Sequence, residues 1–172
     1  IIAPDGREGM LQHAREFHDA GVPFIFDPGQ GLPMFSREEL LEMVKLGSYL
    51  AVNDYEGKLL EEKTGRKLED LARDLKALIH TLGAQGSVIF ADGARHEIPC
   101  VGPDAVLDPT GCGDAYRAGL LYGIARGWHW PATGRLASVM GAIKIAHAGT
   151  QAHAFTMDEF RDRFRAAFGR AL

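Results

Sequence analysis

Cysteine is nearly absent. The 172 residues contain two, Cys100 and Cys112, too few for a disulfide framework and without the spacing of metal ligands. A reducing compartment, the cytoplasm, is therefore expected. Long apolar runs are missing too. No stretch approaches the roughly 20 residues that cross a bilayer, and no secretory signal pattern is visible, so no membrane partner is expected. Charge of one sign is not concentrated anywhere. The net charge is −4 and there is no basic run, which argues against nucleic acid as a partner. The 7 histidines are scattered. His80 falls in an apolar run and His129 between Trp128 and Trp130, and none has a ligand partner on one helix face, which disfavours a zinc enzyme. The sequence has no Gly-x-Ser-x-Gly elbow for acyl transfer and no Gly-x-x-x-x-Gly-Lys-[Ser/Thr] phosphate loop. Internal repeats, low-complexity tracts and linkers are also lacking. With 46% hydrophobic residues, residues 1–172 read as one domain with a substantial core.

What is present is an alternation of helical and strand periodicities. Arg7 to Ala20 places Met10, Leu11, Ala14 and Phe17 on one helix face, and Gly21 stops it. Pro23 to Asp27 is a short apolar run without polar alternation, as in a buried parallel strand. Ser36-Arg37-Glu38-Glu39 is a capping box that opens a helix to about Lys45. The pattern predicts strands at 48–52 and 77–82, and helices at 53–62 (ended by Gly65) and 67–75. Ser87 to Ala91 and Arg95 to Pro99 form a hairpin around Asp92-Gly93. Helices at about 113–127, 131–148 and 156–168 complete the chain. Strands alternating with helices give an α/β fold with a mostly parallel sheet and helices on both faces, a three-layer αβα arrangement. Ligands of such sheets bind beyond the carboxyl ends of the strands. Asp27, Asn53 and Thr81 each fall near such an end.

The strongest chemical signal is Asp108-Pro109-Thr110-Gly111-Cys112-Gly113-Asp114, running into a helical pattern. The first turn of a helix leaves N–H groups unpaired, and the helix dipole adds roughly half a positive charge there. Gly111 and Gly113 carry no side chain to keep an anion from those N–H groups. Those first-turn amides can therefore neutralise charge on a transferred phosphoryl group, while Asp114 takes the proton of an attacking alcohol. The plainer alternative is capping chemistry alone. A thiol at the mouth of a helix tends to a lowered pKa, so oxidation or alkylation sensitivity of Cys112 is one hypothesis; the preferred reading is a small apolar filler. Gly119 and Gly123, one turn apart, are expected to let this helix lie close on the sheet.

Two further segments have a double reading. Asn53-Asp54-Tyr55-Glu56 follows a strand and opens a helix, so Asn53 and Glu56 form a capping pair. The same geometry presents the Asn53 amide to a phosphate and lets Glu56 hold water on Mg²⁺, which prefers oxygen ligands and keeps much of its hydration. Thr81-Leu82-Gly83-Ala84-Gln85-Gly86-Ser87 reads as a strand, a tight turn and a strand.

Together these motifs resemble the PfkB (ribokinase-like) carbohydrate and nucleoside kinases over nearly the whole chain, from Pro4 to about Phe168. The 108–114 run is similar to the family's Asp-Thr-x-Gly-Ala-Gly-Asp signature, with Pro109 and Cys112 as departures. Asn53 and Glu56 are similar to its Asn-x-x-Glu motif. The resemblance implies Asp114 as catalytic base, an anion hole at Gly111, Cys112 and Gly113, and ATP with Mg²⁺ as cofactors. It implies that Thr81, Gly83 and Gly86 line the ATP site, and it allows a K⁺ site of carbonyl oxygens at Asp108, Thr110 and the Gly149 loop. The segments Asp27-Pro28-Gly29-Gln30, Asn53-Asp54-Tyr55-Glu56 and Asp108 through Gly119 look most like bacterial adenosine kinases. The implied reaction is ATP plus adenosine giving ADP plus AMP, by attack of the ribose 5′-hydroxyl. A sugar kinase of ribokinase or fructokinase type, and a non-catalytic nucleotide-binding fragment or subunit, are the alternatives. Ile1-Ile2-Ala3-Pro4 reads as the end of a buried strand. The chain is thus expected to be the carboxyl-terminal, nucleotide-binding half of such a kinase, without the lid half through which the resemblance allows a homodimer.

Overall fold

A computed structural model describes residues 1–172, and the chain divides into two compact units. The first comprises residues 1–83 and 88–96, and the second residues 84–87 and 97–172.

In the first unit, helix α1 (Arg7–Asp19) buries Met10, Leu11 and Ala14, the face its periodicity selects. Strand β1 (Ile25–Phe26) is short, and Ile2 adds a parallel bridge to Phe26. The capping box at Ser36 and Glu39 forms as the sequence dictates and starts α2 (Arg37–Leu46). The chain then runs through β2 (Tyr49–Asn53), α3 (Asp54–Thr64), α4 (Leu68–Leu71) and β3 (Ala77–Thr81). The helix expected at 67–75 is cut short. After Leu71 the chain tightens into a 3₁₀ turn at Ala72–Asp74, where Arg73 and Asp74 are exposed and only Ala72 touches the core. A second 3₁₀ segment, Gly29–Met34, leaves no apolar period to read, since two glycines and Pro33 interrupt it.

β4 (Ser87–Ala91) and β5 (Ala94–Ile98) extend the sheet, whose order is β1-β2-β3-β4-β5. Their two-residue turn has both Asp92 and Gly93 at positive φ, the hairpin geometry expected of an Asp-Gly pair. β1, β2 and β3 pair in parallel. Phe24, Phe26, Leu50, Val52 and Leu78 share a core with residues of α1, α2 and α3. Ile25, Ala51, Ala77 and Ile79 alternate with them and point to the other face, yet are equally buried. The strands are therefore covered on both faces, as their unbroken apolar character requires. This is the mostly parallel, layered αβα fold expected from the sequence.

The second unit holds α5 (Cys112–Ala125), α6 (Trp130–Ile145) and α7 (Met157–Phe168). Val101, Leu136, Val139, Ala142, Ile143, Phe160 and Phe164 form its core. His129 caps α6, accepting a hydrogen bond from the Ala132 N–H at 3.3 Å. Thr156 and Glu159 make a full capping box on α7. The reading of Gly119 and Gly123 is corrected here: their partner is a helix, not the sheet. A Cβ on Gly119 would lie 2.5 Å from the Cα of Ala137, and one on Gly123 would lie 2.5 Å from Oγ1 of Thr133, both on α6. α5 and α6 are largely apolar and of low amphipathicity, so sequence periodicity gave no indication of which neighbour each face meets.

Candidate active site

The turn that enters α5 is built around Asp108 and Gly111. Asp108 Oδ1 accepts the Thr110 N–H at 2.9 Å and Oδ2 accepts the Gly149 N–H at 2.8 Å. These bonds, with a further one from the Thr110 hydroxyl, hold its carboxyl at about 2, well below the usual range. The same carboxylate thus fastens the turn to the loop that follows α6. Gly111 takes a left-handed conformation (φ 82°), and a Cβ there would lie 3.2 Å from both the Cα and the carbonyl oxygen of Thr150. Only glycine meets both demands.

Of the three amides expected to form the anion hole, that of Cys112 closes the turn by donating to Pro109 O at 3.1 Å. Gly111 and Gly113 remain, together with the first-turn N–H of Asp114. Asp114 stands exposed in the first turn of α5. The thiol of Cys112 does not behave as its helix position suggests: it is half-buried, and burial pushes it up more than the Lys144 ammonium draws it down. Burial thus favours the filler reading of Cys112 over the reactive-thiol hypothesis.

Sequence reasoning did not single out Arg117, one turn beyond Gly113. Its Nη1 lies 2.8 Å from where a Cβ on Gly113 would be. A guanidinium is therefore folded over the mouth of the helix, adding positive charge beside the amides. The spacing of four residues along one helix face was the available signal.

In the first unit, β2 and β3 end in register, with Asn53 opposite Thr81. Asn53 caps α3: its Oδ1 accepts the Glu56 N–H at 2.8 Å, and its own N–H donates to Glu56 Oε2 at 2.8 Å. Asn53 Nδ2 also donates to Glu56 Oε1 at 2.8 Å. The two side chains are locked together at the carboxyl edge of the strands. Each Glu56 oxygen keeps a second lone pair and Nδ2 keeps a second hydrogen, so capping and ligand binding are compatible. Thr81 Oγ1 lies 3.4 Å from Val52 O, fixing the hydroxyl at the same edge. Asp27, directly after β1, is buried. No group of three or more His, Cys, Asp or Glu side chains is placed to hold a metal ion. An all-oxygen site with one carboxylate acting through water still suits Mg²⁺.

The loop after β3 makes a 3₁₀ turn at Gly83–Gln85. Gly83 has a positive φ and open space around it. Gly86 is enclosed: at φ 89°, a Cβ would fall 2.1 Å from Ile98 O. Next to it, Ser87 Oγ and the Tyr116 hydroxyl are hydrogen-bonded at 2.6 Å. Tyr116 is half-buried, and burial pushes its hydroxyl up to about 12. A residue of α5 therefore anchors the end of the loop, a link that sequence distance hid.

The pfkB carbohydrate kinase family model matches residues 2–156. The chain belongs to the pfkB family. Among curated relatives, a nucleoside kinase of Methanocaldococcus jannaschii is 35% identical over 138 residues, covering 80% of this chain and 46% of that protein. A solved structure of Burkholderia thailandensis nucleoside kinase in complex with inosine superposes with a TM-score of 0.97 at 51% identity, covering 99% of this chain and 57% of that one. The same enzyme in complex with ADP-inosine gives 0.97 at 52%, covering 99% and 53%. The chain spans about half the length of the curated relatives it matches.

As a pfkB-family member, this chain places the signature Asp114 and its glycine turn in the second unit. It places the Asn53–Glu56 pair in the first.

Proposed function

We propose that this chain is the nucleotide-handling part of an ATP-dependent nucleoside kinase that phosphorylates the 5′-hydroxyl of a purine nucleoside, adenosine in the first instance. The observation that carries this reading is the turn at 111–114: two glycines, unspent first-turn N–H groups and an exposed carboxylate, crowned by a guanidinium. The nucleoside kinases among its relatives, one of them solved with inosine, support a nucleoside over a free sugar as acceptor.

In this reading Asp114 accepts the proton of the attacking hydroxyl. The N–H groups of Gly111, Gly113 and Asp114, with the Arg117 guanidinium, bind the phosphoryl oxygens as charge builds on them. Asn53 donates its remaining amide hydrogen to a phosphate, and Thr81, Gly83 and Gly86 border the nucleotide. Glu56 would hold Mg²⁺ through water, and that ion would supply charge neutralisation at the phosphates. The capping bonds keep Asn53 and Glu56 in one orientation whether or not ligand is present.

Asp114→Ala tests the assignment. In the whole enzyme, kcat with adenosine or inosine should fall on the order of 10²–10⁴-fold, the usual worth of a positioned base, while ATP affinity measured by calorimetry changes little. Near-full turnover by the variant would remove Asp114 from the mechanism. A panel of acceptors assayed with labelled ATP decides the substrate class; preferential transfer to ribose or fructose would refute the nucleoside reading.

A further inference from the structure

Lys144 is the one fully buried residue among the 19 lysines and arginines. It lies in the last turn of α6, and its Nζ donates to Asp108 O at 2.8 Å and to His147 O at 3.0 Å. Both acceptors are main-chain carbonyls. The Asp108 carboxylate is engaged elsewhere, on the N–H groups of Thr110 and Gly149. Even so, the Lys144 charge helps to hold that carboxyl down and opposes protonation of His153. The main chain of 107–108 also donates to Ile145 O, at 2.9 Å from Leu107 and 3.2 Å from Asp108. The end of α6, the loop through Gly149 and Thr150, and the turn leading to Asp114 are thus fastened around one ammonium.

The family resemblance implies a monovalent cation in this place, held by carbonyl oxygens around Asp108, Thr110 and Gly149. The donor set does not fit a free ion. Two of the nearest carbonyls already face a resident ammonium, which carries the same single charge, donates up to three hydrogen bonds and is close to potassium in size. A diffusible cation drawn to the same oxygens would have to displace that ammonium or meet its charge at close range, while both Asp108 oxygens are already engaged by main-chain N–H groups.

We propose that Lys144 is a built-in monovalent cation: its ammonium takes the place of K⁺, so the turn ahead of Asp114 is ordered without potassium. The proposal rests on the fold of the second unit and is independent of whether the chain transfers phosphate.

Two measurements test it. The melting temperature of the protein in potassium chloride should match that in choline chloride at equal ionic strength to within about 1 °C, and thallium-205 NMR should show no saturable bound ion. A potassium-specific rise of several degrees, or thallium that potassium displaces, would overturn the proposal. Lys144→Met keeps the stem and removes the charge. It should melt about 5–10 °C lower, because the two carbonyls lose their donor, and potassium or ammonium, but not choline, should restore part of the loss. Parent-like melting of this variant would also overturn the proposal. Should the variant fail to fold, the parent protein's salt and thallium measurements decide alone.

Discussion

Gly119→Ala should destabilise the protein, although alanine is the better helix former. Gly119 faces α6 from the middle of α5, where a Cβ would lie 2.5 Å from the Cα of Ala137 and 3.0 Å from its nitrogen. Both are backbone atoms of a 16-residue helix, so no side chain can swing aside. Carbon atoms in good contact sit about 3.5–4.0 Å apart, and relief requires α5 and α6 to separate by about 1 Å. Overpacking of this kind costs about 1–3 kcal/mol, and a rigid backbone neighbour puts Gly119 at or beyond the upper end. The helix propensity of alanine returns about 1 kcal/mol. The net loss is then about 2 kcal/mol, or a melting point about 4–8 °C lower for a chain of this size. Gly9→Ala in α1 is the matched control. There a Cβ meets only Asp5 Oδ2 at 3.9 Å, so the same substitution should stabilise by about 0.4–1 kcal/mol. Calorimetric melting of the two variants beside the parent is the assay. A Gly119→Ala protein that melts at or above the parent would refute the helix-contact argument, and so would equal losses in both variants.

Three other outcomes are expected. Arg117→Met should lower kcat of the whole enzyme about 10-fold or more by removing positive charge from the anion site, and it should also weaken the dependence of activity on ionic strength; unchanged steady-state kinetics would exclude Arg117 from the site. Gly86→Ala should cost about 2–4 kcal/mol, combining positive-φ strain with a clash against Ile98 O, and a parent-like urea midpoint would contradict that geometry. Acid should destabilise in two stages. Burial lowers the pKa of His80, whose Nε2 has no hydrogen-bond partner, so the unfolded chain takes up a proton first and stability, complete above about pH 6.5, falls as the pH drops below it. Asp108, held at about 2, contributes stability that is present above about pH 4 and is lost towards pH 2. Urea melts across this range should show both limbs, and His80→Asn should remove only the upper one.

The residues that could be read correctly from sequence are those whose role is local. The capping boxes at Ser36 and Asn53 depend on a residue and its third neighbour, and both form. The Asp92-Gly93 turn follows from backbone sterics alone. The strand ends that carry Asn53 and Thr81 could be placed because buried parallel strands are unbroken apolar runs. The misreadings all required knowledge of a distant partner. The glycine face of α5 was paired with the sheet because nothing in a nearly uniform apolar helix tells which neighbour it meets. The reactive-thiol hypothesis for Cys112 arose because its position on the helix was visible and its burial was not. Lys144 drew no notice because a lysine in a helix is ordinarily solvated, and the carbonyls that hold it belong to residues 3 and 36 positions away.

Under the proposed function, the start of α5 would combine two requirements that ordinarily conflict. An anion site needs bare, exposed N–H groups, yet an exposed glycine-rich turn is costly to order, because each glycine gives up more backbone freedom than any other residue. Here the ordering forces come from behind the turn. Asp108 fixes it to Gly149, Lys144 fixes it to the end of α6, and Gly111 is seated against Thr150. On the helix itself, Gly119 and Gly123 bring α5 against α6 with no intervening side chain. None of these contacts uses the N–H groups of Gly113 or Asp114, both exposed residues. If the turn binds phosphate as proposed, glycines on one flank and the buried Lys144 on the other would let it be rigid before the phosphate arrives. Electrostatic catalysis requires this, since donors that had to reorganise during the reaction would return much of the barrier they remove.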